Sequence, residues 1–121
     1  MRHPRETVDV RIKRAYEASS VRDGARILVD RIWPRGLRKA DAAFDVWLKE
    51  IAPSTRLRQW FAHDPARWAE FQRRYRAELA SKTGLLAELR SRARNGKLTL
   101  VYSARDAEHN QAVVLREVLL Q

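Results

Sequence analysis

Two runs of consecutive apolar residues constrain this fold more than any other feature. Ile27-Leu28-Val29 sits inside the segment Arg26–Ile32, and Leu98, Leu100, Val101 and Tyr102 fill the segment Lys97–Ser103. Neither run alternates apolar with polar positions, as a strand with one wet face would. The first suits a strand covered on both faces, as in a parallel sheet between helix layers, and the second is a further strand. A weaker segment precedes them, in which Val8, Val10 and Ile12 alternate with polar residues. Asp23-Gly24 reads as a turn between the first two strands, and Trp33-Pro34-Arg35-Gly36 ends the second, because Pro34 cannot donate to a ladder.

The stretch between the second and third strands carries helical periods. Phe44, Trp47, Leu48 and Ile51 form one stripe, with Asp41 as a cap and Pro53 as a stop. Ser54 caps a short helix carrying Leu57, Trp60 and Phe61. Asp64-Pro65 starts a longer helix reaching about Ala80, with Trp68, Phe71, Tyr75 and Leu79 inward. A further helix carries Leu85, Leu86, Leu89 and Ala93, and Asn95-Gly96 ends it in a left-handed cap. After the third strand, Asp106 caps a last helix, apolar on most sides, with His109 in its first turn. The expected fold is one α/β domain over residues 1–121. Its sheet is small and mainly parallel, with about three strands flanked by helices and a helical segment inserted between the second and third.

Composition narrows the chemistry. The chain has no cysteine, which excludes disulfides, thiolate catalysis and Cys-ligated zinc. No apolar run approaches the ~20 residues of a membrane span, and the charged start Met1–Glu6 has no apolar stretch behind it, so no secretory signal is expected. The 25 Lys+Arg against 15 Asp+Glu give a net charge of +10, and 20 of the 25 are arginine. Such a surplus attracts phosphates, nucleic acids and acidic surfaces. An Arg-rich skew also arises from GC-rich coding without selection for function.

In a parallel α/β sheet, ligands sit outside the carboxyl ends of the strands. Those ends carry Arg14 and Tyr16 from the first strand, then Asp30, Arg31, Trp33, Arg35 and Gly36 from the second. The third adds Ser103, Arg105, Asp106, His109, Asn110 and Gln111. Arg31, Arg35 and Arg105 supply planar forks able to grip a phosphate or carboxylate, with Trp33 as a wall and Gly36 in the tight turn. Asp30, at the end of a buried strand, orients an arginine or accepts a proton, and His109 is the acid–base candidate. Asp106 reads first as a plain helix cap, and Trp33 first as a core or rim aromatic. Nothing has a metal-ligand spacing such as H-E-x-x-H, and no G-x-S-x-G, P-loop or G-x-G-x-x-G is present, so no metal or cofactor is expected.

Several strings together are specific. Val29-Asp30-Arg31-Ile32-Trp33-Pro34-Arg35-Gly36, Ala52-Pro53-Ser54-Thr55, Trp60-Phe61-Ala62-His63-Asp64-Pro65, Arg67-Trp68 and the run from Ala104 to Ala112 resemble the YeaO-like family, defined by domain of unknown function 488. The resemblance covers about Val8 to Leu119 and implies a small cytoplasmic bacterial protein whose signature strings lie at strand ends. The wider superfamily carries a D-V-R string, a cysteine and a Cys-His pair. The matching stretches here read Asp30-Arg31, Ser103 and Asn110-Gln111, so the resemblance carries no cysteine chemistry over to this chain.

Three functions stand beside one another at this point. The first is a site for a small phosphate- or carboxylate-bearing ligand, with or without catalysis. The second is a nucleic-acid-binding module built on the arginines of residues 1–40, and the third is an interaction or assembly protein. The oligomeric state is not legible in the sequence.

Overall fold

The structure, a computed structural model, describes residues 8–121; Met1–Glu6 and His3 lie outside them. Four parallel strands form one sheet in the order β1-β4-β2-β3: β1 (Val10–Arg14), β2 (Ala25–Leu28), β3 (Val46–Trp47) and β4 (Leu98–Tyr102). The two continuous apolar runs are β2 and β4, side by side at the centre, with Ile27 opposite Leu100 and Leu28 opposite Val101. Four helices follow: α1 (Thr55–Phe61), α2 (Trp68–Leu79), α3 (Thr83–Arg94) and α4 (Gln111–Leu119).

The period of two divides the sheet residues between two different coverings. Val10, Ile27, Leu98, Leu100 and Tyr102 face a core made with the buried residues of all four helices, including Leu57, Phe71, Tyr75, Leu89 and Leu115. Leu28 and Val101 point the other way, where Ala15, Trp33, Leu37 and Phe44 cover them. The second face is therefore closed by the loop between β2 and β3, not by another helical layer. Trp33 anchors that loop: its indole N–H donates to the Leu37 carbonyl at 2.6 Å, and its ring meets Phe44 and Trp47 edge-on. Beside it lies a buried ion pair, in which Arg26 reaches Asp23 at 2.5 Å and Lys13 joins from β1 at 3.1 Å. Gly24, at φ +63, packs so closely on the backbone that a Cβ would fall 2.7 Å from that of Lys97.

Besides that missing helix layer, three expectations need correction. The stripe from Phe44 to Ile51 is not a helix. The exposed edge of β2 needs backbone partners, so Asp45 N–H donates to the Arg26 carbonyl and Leu48 N–H to that of Leu28, at 2.8 and 2.9 Å. This makes Val46–Trp47 a fourth strand, and only a 3₁₀ turn, Lys49–Ile51, follows. Asn95-Gly96 does not form a left-handed cap, since Asn95 stays right-handed and Gly96 is not among the positive-φ glycines. The last helix is capped by Asn110 rather than Asp106, so His109 precedes the helix instead of lying in its first turn. Ser54 and Asp64 cap the turns expected of them, each accepting a backbone N–H.

Candidate functional site

The carboxyl ends of β2 and β4 are joined by a side chain. The ladder closes with Val29 N–H donating to the Val101 carbonyl at 2.9 Å. The next donor along β4, the N–H of Ser103, goes to Asp30 Oδ2 at 3.0 Å. Asp30 Oδ1 accepts from Gln111 Nε2 at 2.5 Å, and the Asp30 carbonyl accepts from the Trp47 indole at 2.7 Å. The residue is only 7% exposed. Burial pushes its carboxyl above the ordinary aspartate value, and the bonds from Ser103 and Gln111 and the nearby His63 offset that push only in part.

Residues 106–111 form a second knot. Asp106 Oδ1 accepts the backbone N–H groups of Glu108 and His109, at 2.9 and 3.1 Å, and Oδ2 meets His109 Nδ1 at 2.8 Å. The Glu108 bond, followed by that of His109, holds the Asp106 carboxyl below its usual value. The His109 ring stands edge-on to Trp68, 5.2 Å between centroids. Asn110 is 1% exposed and has both ends of its amide engaged, donating to the Asp106 carbonyl and accepting from Val113 N–H. Its place in the site is structural.

Arg31 grips protein. Its Nε donates to the Pro53 carbonyl at 2.9 Å and an Nη to that of Ala52 at 3.2 Å. Lys82 also reaches the Ala52 carbonyl, Tyr75 holds that of Ile51, and Glu78 accepts from the N–H and hydroxyl of Ser54. The Ala52-Pro53-Ser54 string is thus a junction at which the β2 end, α1, α2 and the α2–α3 turn meet.

Two hollows remain at this end of the sheet. A small cavity of about 110 Å³ is bounded by Asp30, Arg31, Arg58, His63 and His109, with Phe61 and Phe71 as apolar walls. An open hollow of about 870 Å³ lies next to it, lined by Arg14, Tyr16, Arg35, Arg105 and Asp106. Ser103, Ala104 and His63 line both. Arg14 is engaged with the carbonyls of Ser103 and Ala104 and lies over the Tyr16 ring. The side chains of Arg35 and Arg105 have no hydrogen-bond or ion-pair partner among the described residues.

The residues expected from the sequence are therefore divided. Asp30, Arg31, Ser103, His109, Asn110 and Gln111 surround the small cavity, while Ser103, Arg35, Arg105 and Asp106 surround the open one. Trp33 and Gly36 line neither: Trp33 belongs to the covering of the far face, and Gly36 occupies a turn at φ +78. Two further residues stand outside the site set expected from the sequence. Arg58 looks in sequence like one more exposed helix arginine. His63 is carried to the cavity because Ala62 and His63 both adopt left-handed backbone, at φ +48 and +57, and neither residue type announces that.

Among the described residues no helix is long and apolar enough to cross a membrane, and no three His, Asp or Glu side chains are grouped so as to hold a metal ion. No solved structure matches the chain. The uncharacterized protein YeaO of Escherichia coli K12 is 44% identical over 112 residues, covering 93% of this chain and 97% of the relative. The uncharacterized protein Rv3073c of Mycobacterium tuberculosis H37Rv is 44% identical over 110 residues, covering 91% and 92%. A family model described as the inactive DUF488-N3 subclade matches residues 9–121, and the chain belongs to that family of YeaO-like proteins.

Proposed function

We propose that the chain binds a small phosphate- or carboxylate-bearing molecule in the open hollow at the carboxyl ends of β1, β2 and β4. One observation carries the reading: Arg35 and Arg105 line that hollow with guanidinium groups that nothing among the described residues pairs. Most other arginines near the strands are engaged. Arg11 pairs with Asp9, Arg26 with Asp23 and Arg38 with Asp41, while Arg14 and Arg31 hold carbonyls. That pattern favours a small anion over nucleic acid, which needs a row of free cations along the backbone path.

Binding without turnover fits the remaining geometry. His109 Nε2 has no partner among the described residues, but Asp106 holds its Nδ1 and each Asp30 oxygen already accepts one hydrogen bond, so both residues are fixed in the pocket wall. The word "inactive" in the family description agrees with this.

Calorimetric titration with inorganic phosphate and with acetate at low salt tests the reading. Saturable binding of either is expected, weakened about tenfold or more in the Arg35→Gln, Arg105→Gln double variant. Absence of binding by the unaltered protein, or equal binding by the variant, overturns it.

A further inference from the structure

The small cavity and the open hollow share Ser103, Ala104 and His63 in their linings, so the two spaces adjoin. What the cavity accepts follows from its lining. Among the described residues Asp30 is its only carboxylate, against Arg31, Arg58 from α1, His63 from the α1–α2 turn and His109 from the turn before α4. Both Asp30 oxygens accept from groups that offer hydrogens, the Ser103 N–H and Gln111 Nε2. The Ser103 hydroxyl bonds the same carboxyl, and Asp30 also lines the cavity. An incoming carboxylate in the cavity meets Asp30 directly and supplies an acceptor for a proton on it. Two carboxyl groups in one small space hold a single proton between them far better than two charges.

We propose that the ligand carries two acidic groups, one resting on Arg35 and Arg105 in the open hollow and the other a carboxylate that enters the cavity and is held by a proton shared with Asp30. The inference rests on the reading of the hollow as an anion site and adds the chemical class of its ligand. The proton comes from solvent, one per ligand bound, and no covalent bond forms or breaks. Burial of Asp30, which already favours its neutral form, supports the same direction.

Calorimetry with phosphoglycolate and with 2-hydroxyethyl phosphate, which lacks the carboxylate, separates the parts. Phosphoglycolate should bind at least about tenfold tighter, equivalent to about 1.4 kcal/mol. In buffers of different ionisation enthalpy it should take up close to one more proton than the hydroxyethyl ester at pH 7 to 8, and lose up to about tenfold in relative affinity per unit rise in pH. Asp30→Asn should bind phosphoglycolate without the extra proton. If that variant does not fold, the buffer series on the unaltered protein still decides. Failure of inorganic phosphate and both esters to bind removes the hollow's reading as well. If the esters bind and weaken in Arg35→Gln, but the carboxylate brings neither affinity nor a proton, this inference alone is overturned.

Discussion

Asp30 Oδ1 and Gln111 Nε2 lie 2.5 Å apart and fasten the end of β2 to the first turn of α4. The contact explains two signature positions at once, because the carboxylate is buried and needs the amide to satisfy it. Replacing Gln111 with Leu leaves that oxygen without its donor and should cost about 1–3 kcal/mol in urea unfolding. Gln111→Glu should be worse at neutral pH, since it sets a second carboxylate against the first, and should recover most of the loss toward pH 4 as the pair takes up a proton. Equal stability of the Leu and Glu variants at pH 7 would sink this account.

The raised value of Asp30 has a definite consequence for stability against pH. A carboxyl that holds its proton more tightly when folded contributes most below its unfolded value of about 3.8. That contribution is lost as pH rises from there through the folded value. Asp106 works in the opposite sense: its lowered value contributes stability above about 3.8 that disappears as pH falls through the folded value. The two are separated by difference. Subtracting the denaturation free energies of Asp30→Asn from those of the unaltered protein should give a curve that declines with rising pH above 4. A flat difference curve from pH 4 to 8 would rule out a raised Asp30.

Much of the fold was legible because it depends on periodicity. β2 and β4 declared themselves by continuous apolar runs, and α2 by Phe71, Tyr75 and Leu79 behind an Asp-Pro start. The failure at Phe44–Ile51 is of another kind. Those residues do satisfy a helical period, but the free edge of β2 claimed the backbone of Val46 and Trp47, and a demand made by a distant strand leaves no mark on local spacing.

At the site, the residue types are legible in the sequence and their partners are not. Arg31 looked like an anion fork, yet its donors meet the carbonyls of Ala52 and Pro53. Arg35 looked the same and has no side-chain partner among the described residues. Only the fold distinguishes them, because it sets those carbonyls within reach of one and not the other.

The Arg31 junction makes its own prediction. Arg31→Lys keeps the charge but loses the planar fork that spans two carbonyls, so it should destabilise by about 1.5–3 kcal/mol. Arg35→Lys, with no protein partner to lose, should stay within about 0.5 kcal/mol of the unaltered protein. Chemical denaturation of the two variants side by side checks the contrast. Matched losses would mean that Arg31 and Arg35 are equivalent surface cations.

The left-handed pair at the end of α1 carries strain that glycine would relieve. Ala62 sits at φ +48, ψ +35, and its N–H donates to the Arg58 carbonyl at 3.1 Å to close the helix. A left-handed non-glycine residue costs about 1–2 kcal/mol, while glycine adds about 0.5–1 kcal/mol of backbone entropy to the cost of folding. Ala62→Gly should therefore be stabilising by about 0.5–1 kcal/mol, raising the melting temperature by roughly 2–5 °C. His63→Gly relieves similar strain at φ +57 but removes an imidazole that lines both hollows. Thermal melts should show a gain for Ala62→Gly, and anion titration should find its affinity unchanged. His63→Gly should lose affinity whatever its melting temperature. A fall in melting temperature for Ala62→Gly would mean that the turn is not strained, and unchanged affinity in His63→Gly would take His63 out of the site.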